Sequence, residues 1–242
     1  MDLFASIRPA KYYLFTYLVF WVACGLLVGI LGYNGSFLLV NQWHSLLLDR
    51  IMPHLTHLGH GMFVGSIFLI FGRKTRPEVL MALVLSMIAI AIAIGAGKMI
   101  FFEDWYRPAR VFKLADIHFI SLAAEKNQSF PSGHSAVAAA VFFFISIRLG
   151  EKSPLSGVWL ALISIVACYS RVYIGVHFPG DILVGSLLGI VISIGILQLV
   201  TRYTGREDGI KLRGSRVALF WAMTGGLLLL IDLYVIVTQN YL

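Results

Sequence analysis

Charged residues are missing from long stretches of this chain, and the gaps have the length of membrane-crossing helices. No Asp, Glu, Lys or Arg occurs between Lys11 and Asp49. Within that gap the aromatic-rich run Tyr12 to Tyr33 is long enough to cross roughly 30 Å of hydrocarbon as a helix. It exceeds the core of about 7–15 residues expected of a cleaved signal, so it reads as a retained first span. Further windows run from Ile51 to Gly72, Val79 to Gly97, Asn127 to Ile147, Ser153 to Ser170 and Ile182 to Thr201. A seventh runs from Val217 to Val237 and is broken only by Asp232. The pattern predicts an all-α, polytopic transmembrane bundle: one membrane-embedded domain over residues 1–242, with a core at about 12–201 and an additional C-terminal helix at about 217–238. Gly25 with Gly29, and Gly185 with Gly189, have the small-xxx-small spacing that lets membrane helices approach closely. Arg202 to Arg216 reads as a polar connector.

Composition removes the soluble alternative. Apolar residues make up 59% of the chain and charged residues 13%, with a mean hydropathy of +0.85, whereas a soluble domain carries about 25% charge. Cys24 and Cys168 both lie in apolar runs, which leaves no disulfide framework and no thiolate metal site. The basic residues set the expected orientation. Arg8 and Lys11, then Arg73, Lys74 and Arg76, then Arg148 and Lys152, then Arg202, Arg206, Lys211, Arg213 and Arg216 all fall on one side if the spans alternate. That side is cytoplasmic by the positive-inside rule. The N-terminus is then expected in the cytoplasm and the C-terminus outside, and the net charge of +7 calls for no nucleic-acid partner.

Polar residues near a bilayer are energetically expensive, and their positions point to function. Here they gather at the opposite, outer ends of the spans. Lys98 ends the third span, and the following segment carries Glu103, Asp104, Arg107, Arg110, Lys113, Asp116, Glu125 and Lys126. Pro131-Ser132-Gly133-His134 opens the fourth span. Ser170-Arg171 closes the fifth, and His177 and Asp181 precede the sixth. Backbone N–H groups at the Ser132-Gly133 helix start make an anion cradle. Lys98, Arg107 and Arg171 supply positive charge, the arginines with bidentate geometry suited to phosphate oxygens. Such a site needs no divalent metal and no other cofactor. Asp181 is placed to hold one nitrogen of His177 protonated and leave the other free to attack phosphorus. His134, on a separate helix start, is the matching general acid for an in-line displacement.

Pro131-Ser132-Gly133-His134 and Ser170-Arg171-(five residues)-His177-(three residues)-Asp181 resemble the two later signature motifs of the type 2 phosphatidic acid phosphatase (PAP2) superfamily, which includes membrane lipid phosphatases and is related to vanadium haloperoxidases. Its first motif, Lys-(six residues)-Arg-Pro, is matched by Lys98-(eight residues)-Arg107-Pro108, two residues longer, which leaves Arg110 as an alternative to Arg107. The resemblance implies a six-helix core, so the helix from Val217 is an addition. It implies His177 as a nucleophile forming a phosphohistidine, Asp181 as its orienting acid and His134 as general acid. Lys98, Arg107, Ser132, Gly133 and Arg171 would bind phosphate, with Ser170 auxiliary.

The expected activity is metal-independent hydrolysis of a phosphomonoester or pyrophosphate on a membrane lipid, at the outer face of a bacterial-type inner membrane. Phosphatidate, phosphatidylglycerophosphate, undecaprenyl pyrophosphate and lipid A phosphates are the substrate classes. Transfer of phosphate to a lipid acceptor is the alternative. A transporter would instead place its polar groups near the bilayer midplane. His54, His57 and His60 recur every third residue and invite a metal reading, but no carboxylate accompanies them at ligand spacing, so they read as interfacial polar residues. Asp232 reads the same way, and Trp105 and Tyr106 as interfacial aromatics. Oligomeric state is left open.

Overall fold

The computed structural model describes residues 6–60, 65–66, 76–120, 128–150, 153–204 and, near the C-terminus, 223, 226 and 230. Six helices organise these segments: α1 (Lys11–Asn41), α2 (Leu46–Leu55), α3 (Pro77–Ile100), α4 (Gly133–Gly150), α5 (Pro154–Tyr173) and α6 (Pro179–Thr204). Among the described residues there is no strand, only an isolated bridge between Tyr106 and Gln128. All but α2 are long and apolar enough to cross a membrane.

The bundle is arranged around α4. Ala136, Ala138, Ala139, Ala140, Val141, Phe143 and Phe144 are all buried, so α4 is covered around its circumference, as befits a central helix. Glycines on α6 make the closest packing. A Cβ on Gly185 would lie 2.3 Å from the Ser132 carbonyl oxygen, and one on Gly189 would lie 2.1 Å from that of Ala136. Those two glycines therefore serve the close approach expected of them. The other pair does not: a Cβ on Gly25 would make only ordinary contact with Leu183, and one on Gly29 would meet nothing within 4 Å. On α1 the residues Phe15, Leu18, Val22, Leu26 and Ile30 instead present an exposed apolar face, which suits lipid rather than water. Inward-facing hydroxyls find partners across helices, Tyr13 donating to the Ala139 carbonyl at 2.8 Å and Tyr17 bonding Ser164 at 2.6 Å.

Two expected spans take a different form. The first continues past Tyr33 to Asn41, with a break at Gly32, where φ is +70° and ψ is 177°. Glycine alone adopts that backbone without a Cβ clash, and Tyr33, the next residue, donates its hydroxyl to Asp181. The window from Ile51 to Gly72 is not one continuous helix. It begins inside α2, which contains Pro53, tightens into a 3-10 turn at Thr56–Gly59 and turns extended at His60. Beyond His60 most of that window lies outside the described residues. So do nearly all of the Val217–Val237 helix, Asp232, and all but the first residues of the Arg202–Arg216 connector.

Candidate active site

The expected chemistry assembles at one end of the bundle. α3 and α5 finish there, α4 and α6 start there, and residues 101–120 and 128–132 between α3 and α4 make contacts with them. Lys98, in the last turn of α3, donates to the Gln128 carbonyl at 2.9 Å. The backbone N–H of Ser132 donates to the Asp181 carbonyl at 3.1 Å, tying the starts of α4 and α6 together. The turn after α5 closes on Arg171, whose carbonyl accepts from Val176 and His177 N–H at 3.1 and 3.2 Å. That closure fixes His177 beside the α5 terminus.

His177 and Asp181 are both buried, 1% and 0% exposed, and Nδ1 of the imidazole lies 3.0 Å from Oδ2 of the acid. The carboxylate takes further bonds from the Phe178 N–H at 2.9 Å, from the Ser129 hydroxyl and from the Tyr33 hydroxyl. These donors offset part of the cost of burying the acceptor-only group. It can serve as a fixed anchor for the ring. Burial, then the positive charges of Arg107, Arg171 and Lys98, hold the His177 imidazole well below its usual value of 6.5. A neutral ring at neutral pH has a lone pair to give.

The cations are placed unequally. Arg107 is buried and reaches the Val176 carbonyl at 3.4 Å, next to His177. Arg171 is likewise buried and donates to Thr56 Oγ1 at 2.8 Å, which brings the 3-10 turn after α2 over the site. Arg110 is exposed and lies over the Tyr106 ring, 3.8 Å from its centroid. Arg107 thus occupies the position beside the histidine that Arg110 does not. Ser132 caps the start of α4, its hydroxyl accepting from the Ser135 backbone N–H at 3.4 Å and from the Ser135 hydroxyl at 2.9 Å. Gly133 opens that helix. His134 follows within electrostatic reach of Arg171, His177 and Arg107, its ring meeting His60 edge-on at 5.7 Å. Ser170 turns back on its own helix, bonding the Ala167 carbonyl at 2.7 Å.

Residues 79–204, which carry all of these motifs, match the PAP2 superfamily. The chain belongs to the PAP2 superfamily. It is 31% identical over 160 residues to phosphatidylglycerophosphatase B of Bacillus subtilis, covering 60% of this chain and 71% of that protein. It is 27% identical over 204 residues to an undecaprenyl-diphosphatase of Sulfolobus acidocaldarius, covering 78% and 92%. Among solved structures, LpxE of Aquifex aeolicus superposes with a TM-score of 0.60 at 32% identity, covering 69% of this chain and 94% of that one. A transmembrane PAP2 type phosphatidylglycerolphosphate phosphatase from Bacillus subtilis shares the fold with a TM-score of 0.51 at 22% identity, covering 84% and 98%. This PAP2 protein, with its long apolar helices and these neighbours, is an integral membrane protein.

Four residues at the PAP2 site carry no sequence signal that assigns them to it. Tyr33 looks like the end of a span, but it follows the Gly32 break and bonds Asp181. Ser129 stands two residues before the Pro131 motif without a spacing of its own. Thr56 lies in an apolar window that promises an uninterrupted helix. His60 reads with His54 and His57 as interfacial, but it faces His134.

Proposed function

We propose that this protein hydrolyses a phosphate ester or pyrophosphate on a membrane lipid through a phosphohistidine at His177, with the site open to the extracytoplasmic side. The observation that carries the reading is the His177–Asp181 pair: Nδ1 is committed to the acid at 3.0 Å, so Nε2 is the nitrogen left for attack. As Nε2 forms its bond to phosphorus, the bond from phosphorus to the lipid oxygen breaks on the opposite side. His134 donates its proton to that departing oxygen. Arg107, Arg171, Lys98 and the N–H groups at the start of α4 hold the phosphoryl oxygens and stabilise their charge in the transition state. Water then attacks the phosphohistidine, His134 taking its proton, and inorganic phosphate leaves with His177 restored. Asp181 keeps the imidazole tautomer and orientation through both halves.

The activities for which the relatives are named support a lipid phosphate as substrate. The exposed apolar face of α1 supports delivery from the bilayer plane. The basic residues on the other side of the expected topology support the extracytoplasmic placement, and with it a bacterial-type inner membrane.

The test is phosphate release by the detergent-solubilised full chain, with EDTA present, from phosphatidate, phosphatidylglycerophosphate, undecaprenyl pyrophosphate and lipid A. The expected result is release from at least one of them, and its loss in His177→Ala. No release from any, or release that survives the substitution, contradicts the proposal. Label appearing in an acceptor lipid instead of free phosphate would identify a phosphotransferase.

A further inference from the structure

A second group of ligand-type side chains lies away from the motif residues and shares none of them. His44 follows α1, Asp49 lies in α2, and His118 belongs to the segment between α3 and α4. Each offers one imidazole nitrogen or carboxylate oxygen, and these atoms all lie within 4.8 Å of one another. The two imidazole rings are parallel within 2° with centroids 4.0 Å apart, and His118 Nε2 stands 2.8 Å from Asp49 Oδ1. The two histidines border an open cavity of about 360 Å³ that Asp116 also lines.

The surroundings hold these groups in place. Tyr173 donates its hydroxyl to Asp49 Oδ1 at 2.6 Å, the kind of outer partner that orients a ligating carboxylate. The side chain of Asn41 accepts from the His118 N–H at 2.8 Å and donates to its carbonyl at 2.9 Å, pinning both sides of that residue's backbone. The same amide also donates to the Val172 and Tyr173 carbonyls. Gly175, at φ +81°, passes so close that a Cβ there would lie 2.7 Å from the His118 carbonyl oxygen. His44 is the exposed member and has the freedom to swing onto a shared ion.

We propose that His44, Asp49 and His118 bind a divalent transition metal, Zn²⁺ by ligand type, with water in the open position. Two neutral imidazoles and one carboxylate are a borderline-soft donor set suited to zinc and poorly suited to Ca²⁺ or Mg²⁺. On binding, His118 gives up its hydrogen bond to Asp49 and carries its ring proton on Nδ1, so that Nε2 and Oδ1 both face the ion. The site joins two stretches of chain that are distant in sequence, the α1–α2 corner with the first turn of α2, and the segment that carries His118. Its structural consequence falls on the turn Ile174–Val176, which packs on His118 and leads into His177. The ion is a staple for that turn, and the phosphate chemistry proceeds at other residues.

The test is titration of tag-free, EDTA-stripped and dialysed full chain with Co²⁺, followed by displacement with Zn²⁺. The expected result is the visible absorption of a low-coordinate cobalt site saturating at one equivalent, erased by Zn²⁺. His44→Ala and Asp49→Asn should each weaken binding by more than about 10-fold, the scale on which even supporting partners of metal ligands act. Because His44 is exposed, His44→Ala should keep metal-free phosphate release at the wild-type level; His44→Gln serves if that chain does not purify. The proposal is overturned if no such band develops, if the band is unchanged in the His44 variant, or if it disappears instead on joint substitution of His54 and His57.

Discussion

His177 shows how much of a residue's chemistry is set by what surrounds it. Its sequence neighbours give a spacing to Asp181; the fold adds two hydroxyls, a backbone N–H and three cations. The cations and burial act on the ring in the same direction, since both disfavour its charged form. Lowering the folded-state value means that the neutral ring, the form the proposed attack requires, persists as pH falls, and protonation removes it only below the usual range. The acid limb of kcat/KM, which reports the free enzyme, is therefore expected to lie below 6.5. A pH–rate profile on a soluble short-chain substrate checks this, and an acid limb above that value would mean that the cations do not act on His177 as placed. The proposed set of His134, His177 and Asp181 was legible from motif spacing, and the fold brings His177 and Asp181 within 3.0 Å. Tyr33 and Ser129 were not, because neither is set at a fixed interval from the motif residues they support.

At the scale of elements, the proposed choice of arginine for phosphate turns on the segment between α3 and α4. The two extra residues between Lys98 and Arg107 left Arg107 and Arg110 as alternatives in the sequence. In the structure Pro108 starts a single helical turn, Pro108–Val111. Arg107, just before it, points inward to Val176, and Arg110, at its far side, stacks on Tyr106. Arg107→Ala is expected to lower kcat about 100-fold, the scale of one lost transition-state donor. Arg110→Ala should leave kcat within about twofold, as exposed side chains away from the reacting groups do. Steady-state kinetics on both variants read the difference, and equal losses would reverse the assignment. Helix existence was legible because an apolar, charge-free window of membrane-crossing length must pair its backbone polar groups within itself, and a helix does so. The Gly32 break and the turn after α2 were not, because uniform apolarity carries no information about where a helix bends.

For the whole molecule, the arrangement explains how a charged reaction is housed by a chain that is 59% apolar. Every motif residue sits where a helix begins or ends, so no charge needs to be buried at the bilayer centre. The alternation of spans that gathers the motifs at one end sends Arg148 and Arg202 to the other. Positive-inside bias then argues for an active site on the outside. Single cysteines at Asp104 and Arg148, in a chain lacking Cys24 and Cys168, provide the check. A membrane-impermeant maleimide applied to intact spheroplasts is expected to label Asp104→Cys and to reach Arg148→Cys only after lysis. The opposite pattern would invert the topology. The expected orientation came from the distribution of Lys and Arg alone. The His44–Asp49–His118 grouping was not legible, since His118 is 69 residues from Asp49 and only the fold brings it beside His44 and Asp49.

The central claim is a covalent bond between phosphorus and His177, and rapid quenching is its most direct measurement. Protein mixed with labelled lipid phosphate, quenched in alkali and digested, is expected to yield an acid-labile, alkali-stable phosphate on the peptide containing His177, absent from His177→Ala. Turnover without any such adduct across the millisecond to second range, or an adduct on a different residue, would contradict the account.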